Sequence, residues 1–196
     1  MKRIIFATSN EGKMREIRAI MADSGYEVVS LKEAGISVDV EENGTTFEEN
    51  AIIKASTIAK ATGELVLADD SGLEVDYMNK APGVYSARFL GEDTDYVIKN
   101  NYILQKLQGV PKEERSARFV CVIALSYPDG TCITKRATIE GYIGYEIRGE
   151  NGFGYDPIFM VDEFDKTTAE LSMEEKNQIS HRAKALRAIK EELAKE

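Results

Sequence analysis

The sequence predicts a mixed α/β fold, and three observations predict it. Apolar runs of strand length alternate with stretches whose apolar residues recur at helical spacing. The chain opens strand, polar loop, helix. Two long β-rich segments, ARFVCVIALSY and TCITKRATIEG, flank Asp129-Gly130 and read as an antiparallel hairpin, so part of the sheet is antiparallel. At 196 residues and 43% apolar content the chain can bury a substantial core. With no repeat and no low-complexity linker, residues 1–196 read as one domain or two closely joined lobes.

Residues 2–7 (KRIIFA) are mostly apolar and read as a central strand. TSNEGK follows as a loop. Met14, Ile17, Ile20 and Met21 then mark a helix, with Gly25 as its stop. Residues 26–31 and 36–40 read as short strands. Thr46 and Glu49 form a capping box for a helix over 47–62, and Gly63 follows its end. LVLA and LEVD read as two strands on either side of Asp-Asp-Ser-Gly, and PGVYSARF as irregular. A third helix follows, capped by Thr94. After the hairpin come a Gly-rich loop, NGFGYDP, and a strand, IFMV. Ser172 and Glu175 form a second capping box. A last helix starts near Ser180 and carries Ala183, Leu186, Ile189 and Leu193 on one stripe.

Composition narrows the function. The formal net charge of −9 argues against a nucleic-acid polymer as partner, because that needs a basic face. It leaves room for a small anion held by a few focused lysines. No apolar run is long enough to span a bilayer, and MKRIIFATSN does not resemble a signal peptide, so a cytoplasmic protein is expected. In a two-residue hairpin Cys132 would face Tyr127 and Cys121 would face Thr138. The cysteines are then not partners, two make no zinc set, and two buried thiols are expected.

Five stretches can carry chemistry. In LVLADDSGLEVD, a buried strand runs into Asp69 and Asp70. Neighbouring strand residues face opposite ways, so the two acids divide their work. A plain Asp-Ser-Gly turn is the alternative. In TSNEGK, Thr8, Ser9, Asn10 and Lys13 at a helix start can cradle an anion; alternatively Asn10 is simply the N-cap. The glycine-lysine spacing is not that of a P-loop. VEENGTTFEENAIIKA places Glu41 and Glu42 ahead of a helical Lys54, and carboxylates with phosphate oxygens are what magnesium takes. Glu48 and Glu49 favour the helix start. In GFGYDP two glycines flank Phe153, whose ring can stack on a nucleobase, with Asp156 able to accept from a ring N–H. A buried Phe in a tight turn is the alternative. KNQISHR carries the lone histidine, His181, beside Arg182, a donor for a carbonyl oxygen. Otherwise Ser180 caps the helix and both lie on its surface.

Together these motifs resemble one family. TSNEGK, the E-NGTTFEENAIIKA segment, ADDSGL, PGVYSARF, GFGYDP and K---SHR stand in the order and spacing of the inosine triphosphate pyrophosphatases, from residue 3 to about residue 190. The resemblance implies a long, curved mixed sheet flanked by helices, with two lobes around a deep substrate cleft. It implies hydrolysis of inosine and xanthosine triphosphates and their deoxy forms to monophosphate and pyrophosphate. Magnesium and a homodimer are implied as well. Carried over by position, Thr8, Ser9, Asn10, Lys13, Lys54 and Ser71 would contact the phosphates. Glu41 and Asp70 would hold the metal, Asp70 would also activate water, and Asp69 would support it. Phe153, Gly154, Tyr155, Asp156, Lys176, His181 and Arg182 would recognise the base, the last three near the purine 6-oxo group.

Three alternatives stand beside this reading. A related nucleotide pyrophosphatase of the septum-inhibitor type shares the fold, but GFGYDP and SHR argue against it. A nucleotide-sensing module without turnover has no need of a water-activating acid. A purely structural oligomer component leaves the clustered charges unexplained.

Overall fold

Strand β1 (Lys2–Phe6) forms where Ile4, Ile5 and Phe6 are completely buried, as a central strand requires. In the computed structural model, which describes residues 1–196, it pairs in parallel with β2 (Tyr26–Ser30), Ile4 against Val28, and with β3 (Val66–Val75), Phe6 against Leu67. Helix α1 (Glu11–Met21) separates β1 from β2. Helix α2 (Phe47–Thr62) leads into β3; Thr46 and Glu49 cap it reciprocally, and Gly63 ends it in the left-handed region at φ 67°. The remaining elements are β4 (Ala81–Pro82), α3 (Tyr96–Lys106), β5 (Ser116–Ser126), β6 (Cys132–Ile143), β7 (Phe159–Val161), β8 (Lys166–Thr167), α4 (Met173–Ile179) and α5 (His181–Leu193). The sheet runs β2-β1-β3-β5-β6-β7-β8, with β4 paired antiparallel to β3.

The chain divides into two compact units. The first comprises Met1–Ser71, Cys121–Ala137 and His181–Glu196; the second comprises Gly72–Val120 and Thr138–Ser180. Each has its own core. In the first, Phe6, Met14, Ile17 and Leu67 pack with Ile123, Leu186 and Ile189, and α5 lies against α1. In the second, Leu73, Val75 and Ile103 pack with Phe119 and Phe159, whose ring centroids are 4.3 Å apart. There the guanidinium of Arg115, almost fully buried, donates to the carbonyls of Ile143 (2.7 Å), Leu107 (2.5 Å) and Gly144 (2.5 Å) and so ties the end of α3 to the end of β6.

Five local expectations are corrected. LVLA and LEVD are one continuous strand, β3, not two; Leu73 and Val75 are fully buried, and burying them keeps the chain extended through Gly72. No strand forms at residues 36–40. Asp95, not Thr94, caps α3, accepting from the Val97 N–H at 2.7 Å, while the Thr94 hydroxyl donates to the Leu90 carbonyl. The hairpin closes with the Tyr127 N–H donating to the Thr131 carbonyl and Gly130 at φ 94°, a three-residue loop that sets Tyr127 against Thr131 and not Cys132. Both cysteines are free, but only Cys121 is buried; Cys132 is half-exposed. No helix is long and apolar enough to cross a membrane.

Candidate active site

The parallel pairing of β1 with β3 stops at Leu67, and Asp69 and Asp70 lie two and three residues beyond it in the same strand. Both are buried, 1% and 9% exposed, so each charge needs a partner. Strand alternation gives them different ones.

Asp69 is held as an anion. Lys13, from the first turns of α1, approaches its two oxygens at 3.1 and 3.0 Å. The Arg182 guanidinium lies 3.5 Å away, and the Ser71 hydroxyl donates to it at 2.6 Å. Burial pushes its carboxyl pKa up, but Lys13, Arg182 and Lys54 overcome this and hold it far below the usual carboxylate range. Arg182 also donates to Glu16 at 2.5 Å and to the Ser71 hydroxyl at 3.3 Å. Burial alone would lower the Arg182 pKa; Asp69 and Glu16 reverse that and hold it charged.

Asp70 faces the opposite way, toward α2. The Asn50 side chain hydrogen-bonds it, and the orientation of that amide is fixed because its oxygen accepts from the Gly44 N–H at 2.9 Å. Gly44 cannot carry a side chain here, since a Cβ would stand 2.7 Å from the Asn50 oxygen. Asp70 Oδ2 is buried with no hydrogen-bond partner. Burial, with Glu42 and Asp69 nearby, outweighs the attraction of Lys54 and pushes its pKa up to about 7. Lys54 joins both sides: its ammonium donates to the Asp69 main-chain carbonyl at 2.5 Å and pairs with Glu42 at 2.6 Å. Burial opposes its charge, but Asp69 and Glu42 raise its pKa.

Glu41 is exposed and does not join this cluster, whereas Glu42 does. From Ile36 to Gly44 the residues alternate strictly between half-buried and exposed, which puts Glu42 on the inner face with Val38 and Val40. Asn10 is the N-cap of α1, accepting from the Lys13 N–H at 3.1 Å, and its own N–H donates to the Thr8 hydroxyl at 3.1 Å. Ser9 is exposed beside them. His181 and Arg182 are buried, not on the helix surface.

The Phe153 loop belongs to the second unit. Gly152 and Gly154 take φ 71° and 65° on either side of Phe153. Asp156 organises the turn: its carboxylate accepts from the Phe153 N–H (3.0 Å), the Thr168 hydroxyl (2.7 Å) and Lys176 (2.7 Å). The carboxylate is therefore committed within the loop. The Lys176 ammonium also sits 4.8 Å from the Phe153 ring centroid. Tyr155 is buried, donates to the Ser86 carbonyl at 2.5 Å and meets Tyr96 edge-on at 5.2 Å.

The first unit thus gathers Lys13, Lys54, Asp69, Asp70, Ser71 and Arg182 at one point, and the second gathers Phe153, Asp156 and Lys176 at another. Sequence reasoning named Glu42 beside Glu41 but carried the metal role to Glu41, and it missed Glu16 and Asn50. Chemically, Asp69 is too firmly paired to act as a base. Asp70 alone combines a lone oxygen with a near-neutral pKa, and can take a proton or a cation.

A sequence model of the Ham1 family matches residues 4–192. The chain is 53% identical to a protein of Bacillus licheniformis named dITP/XTP pyrophosphatase, over 96% of each chain. It is 51% identical to one of the same name from Bacillus subtilis, again over 96% of each. Among solved structures it resembles the Ham1 protein of Staphylococcus aureus (TM-score 0.87, 46% identity, 98% of each chain). It also resembles a HAM1 protein from Coxiella burnetii (TM-score 0.90, 41% identity, 100% of each chain).

Proposed function

This chain belongs to the Ham1 family, and from that premise we propose that it hydrolyses dITP, XTP and the related ITP and dXTP to the nucleoside monophosphate and pyrophosphate. The names of its relatives support the substrate class. The observation that carries the chemistry is the buried, hydrogen-bond-free Oδ2 of Asp70, beside Lys54 and two further carboxylates, Glu42 and Asp69.

In this reading Lys13, Lys54 and the polar start of α1, with Thr8, Ser9 and Asn10, bind the triphosphate. Ser71 adds a hydroxyl contact. Asp70 takes a proton from a water positioned for in-line attack on the α-phosphorus, and Asp69 fixes Lys13 and Arg182 beside it. Most of the rate enhancement is positioning and electrostatics. The residues also fit magnesium: Asp70 offers an unsatisfied oxygen and Glu42 a second carboxylate, more closely placed than Glu41. Magnesium takes only one or two protein ligands and completes its shell with phosphate and water, which suits this pair. When bound, such an ion supplies charge neutralisation of the phosphates.

Phe153 stacks on the base, with Lys176 beside its ring. Gly154, Tyr155 and Asp156 hold that loop. For Arg182 and its neighbour His181 to recognise a 6-oxo group, the pairing of Arg182 with Glu16 and Asp69 has to be exchanged for it. The resemblance further supports a homodimer in the cytoplasm.

Pyrophosphate release from dITP, XTP, dGTP and dATP, each with magnesium and with excess chelator, tests the reading. Fast metal-dependent release from the first two alone is expected. Orthophosphate release would move the cut to an outer phosphate. Tight binding without turnover would make the protein a sensor.

A further inference from the structure

Helix α3 carries no residue that the proposed chemistry uses, yet it holds the Phe153 loop. Asn100, 2% exposed, donates from Nδ2 to the Gly154 carbonyl at 3.1 Å. One helical turn earlier, Tyr96 meets Tyr155 edge-on, its ring centroid 5.2 Å away. The fully buried Lys99 stands 4.5 Å over the Tyr96 ring and donates to the Ala87 carbonyl at 2.7 Å. The Ala87 link fixes the segment whose Ser86 carbonyl accepts from the Tyr155 hydroxyl at 2.5 Å. Gly154 and Tyr155 are thus held by α3 and by a loop that α3 itself fixes.

The Asn100 amide is only half used. Its Oδ1 is buried with no hydrogen-bond partner. An orphaned buried carbonyl is destabilising, and an apolar residue of similar volume would remove that penalty. Stability therefore does not account for an asparagine at this point. What Asn100 alone supplies is the N–H that sets the Gly154 carbonyl, and with it the backbone on which Phe153 is mounted.

We propose that Asn100 is a positioning residue for base recognition, fixing the Phe153 ring through the Gly154 carbonyl. This rests on the reading of Phe153 as the ring that stacks on the base. A loose Phe153 lowers affinity for the base without disturbing the carboxylates and lysines of the first unit, so the effect falls on KM and on discrimination among purines, not on kcat.

The test compares Asn100→Leu and Asn100→Asp with the unaltered protein in steady-state kinetics on dITP and dGTP, together with thermal melting. Asn100→Leu is expected to raise KM for dITP about tenfold with kcat within about twofold, to narrow the preference over dGTP, and to leave Tm unchanged or raised. Asn100→Asp keeps the size, removes the donor, and should reproduce the KM effect. Unchanged KM in both variants overturns the proposal. So does a fall in Tm with kcat and KM moving together, the signature of a purely structural residue. A second readout does not need turnover. The chain has no tryptophan, so Phe153→Trp introduces a single indole in the loop, which can be excited selectively over the nine tyrosines. Its anisotropy should fall when Asn100→Leu is added. If the protein hydrolysed no purine triphosphate at all, the functional reading would fall, and this anisotropy would still decide whether Asn100 holds the loop.

Discussion

Glu42 Oε1 lies 2.6 Å from Lys54 Nζ, while Glu41, one residue earlier, faces solvent. The two adjacent acids are therefore not interchangeable. Glu42→Gln is expected to weaken activation by magnesium by about 10–100-fold. Glu41→Gln should leave it within about twofold. Titrating pyrophosphate release against magnesium for both variants checks this, and equal loss in the two would reverse the assignment.

Asp70→Asn keeps the shape of the side chain and removes its charge. Turnover should fall by about a hundredfold or more, the usual contribution of a positioned base. The fold should not suffer, because the change relieves a carboxylate crowded by Asp69 and Glu42. Kinetics paired with melting separates the two effects; normal turnover in the variant would remove Asp70 from the mechanism.

Arg182→Ala leaves the buried Glu16 and Asp69 without the cation they share. Breaking a buried pair in this way costs about 3 kcal/mol or more. For a chain of this length that is roughly 6–12 °C in Tm. A thermal melt reads it directly, and a variant as stable as the parent would mean the pairing is dispensable.

Gly152 has φ 71°, and a Cβ there would stand 2.2 Å from the Asp156 carboxylate. Gly152→Ala should cost about 2 kcal/mol through backbone strain and displacement of Asp156 from Lys176. The same change should raise KM, since Asp156 holds the Phe153 N–H. Denaturant unfolding and steady-state kinetics measure the two consequences.

The thiols give a pH prediction. Burial pushes the Cys121 thiol up to about 12, so at pH 8 only about one molecule in ten thousand carries its thiolate. Cys132 is raised less and half-exposed. A thiol reagent at pH 8 should label Cys132 in the native protein and both cysteines in denaturant. The sign for stability follows: a folded pKa above the unfolded one leaves stability intact below pH ~8.5 and removes it as pH climbs from there toward 12.

Most of the architecture was legible because it rests on local signals. The capping boxes at Thr46/Glu49 and Ser172/Glu175 and the stripe of α5 depend on residues three or four apart, and each formed where expected. The Asp-Ser-Gly stretch misled because its turn preference is weak against the burial of Leu73 and Val75, a tertiary effect. The hairpin slipped by one residue because Gly130 accepts a positive φ, which a two-residue turn and a bulged three-residue loop both use. In the site, Lys13, Lys54, Asp69 and Asp70 stood in readable motifs. The Glu16 partner of Arg182 lies 166 positions away, beyond any local pattern. Glu42 was readable in principle, since the alternation of Ile36, Val38 and Val40 extends to it and skips Glu41.

The cluster around β3 sets Glu16, Glu42, Asp69 and Asp70 against Lys13, Lys54 and Arg182. With Asp70 ionised, four carboxylates face three cations, and this excess of negative charge weakens the hold on a bare polyanion. A divalent ion reverses that sign. The nucleotide is therefore expected to dock as its cation complex, and free triphosphate in excess of metal should act as a weak competitor of its own hydrolysis.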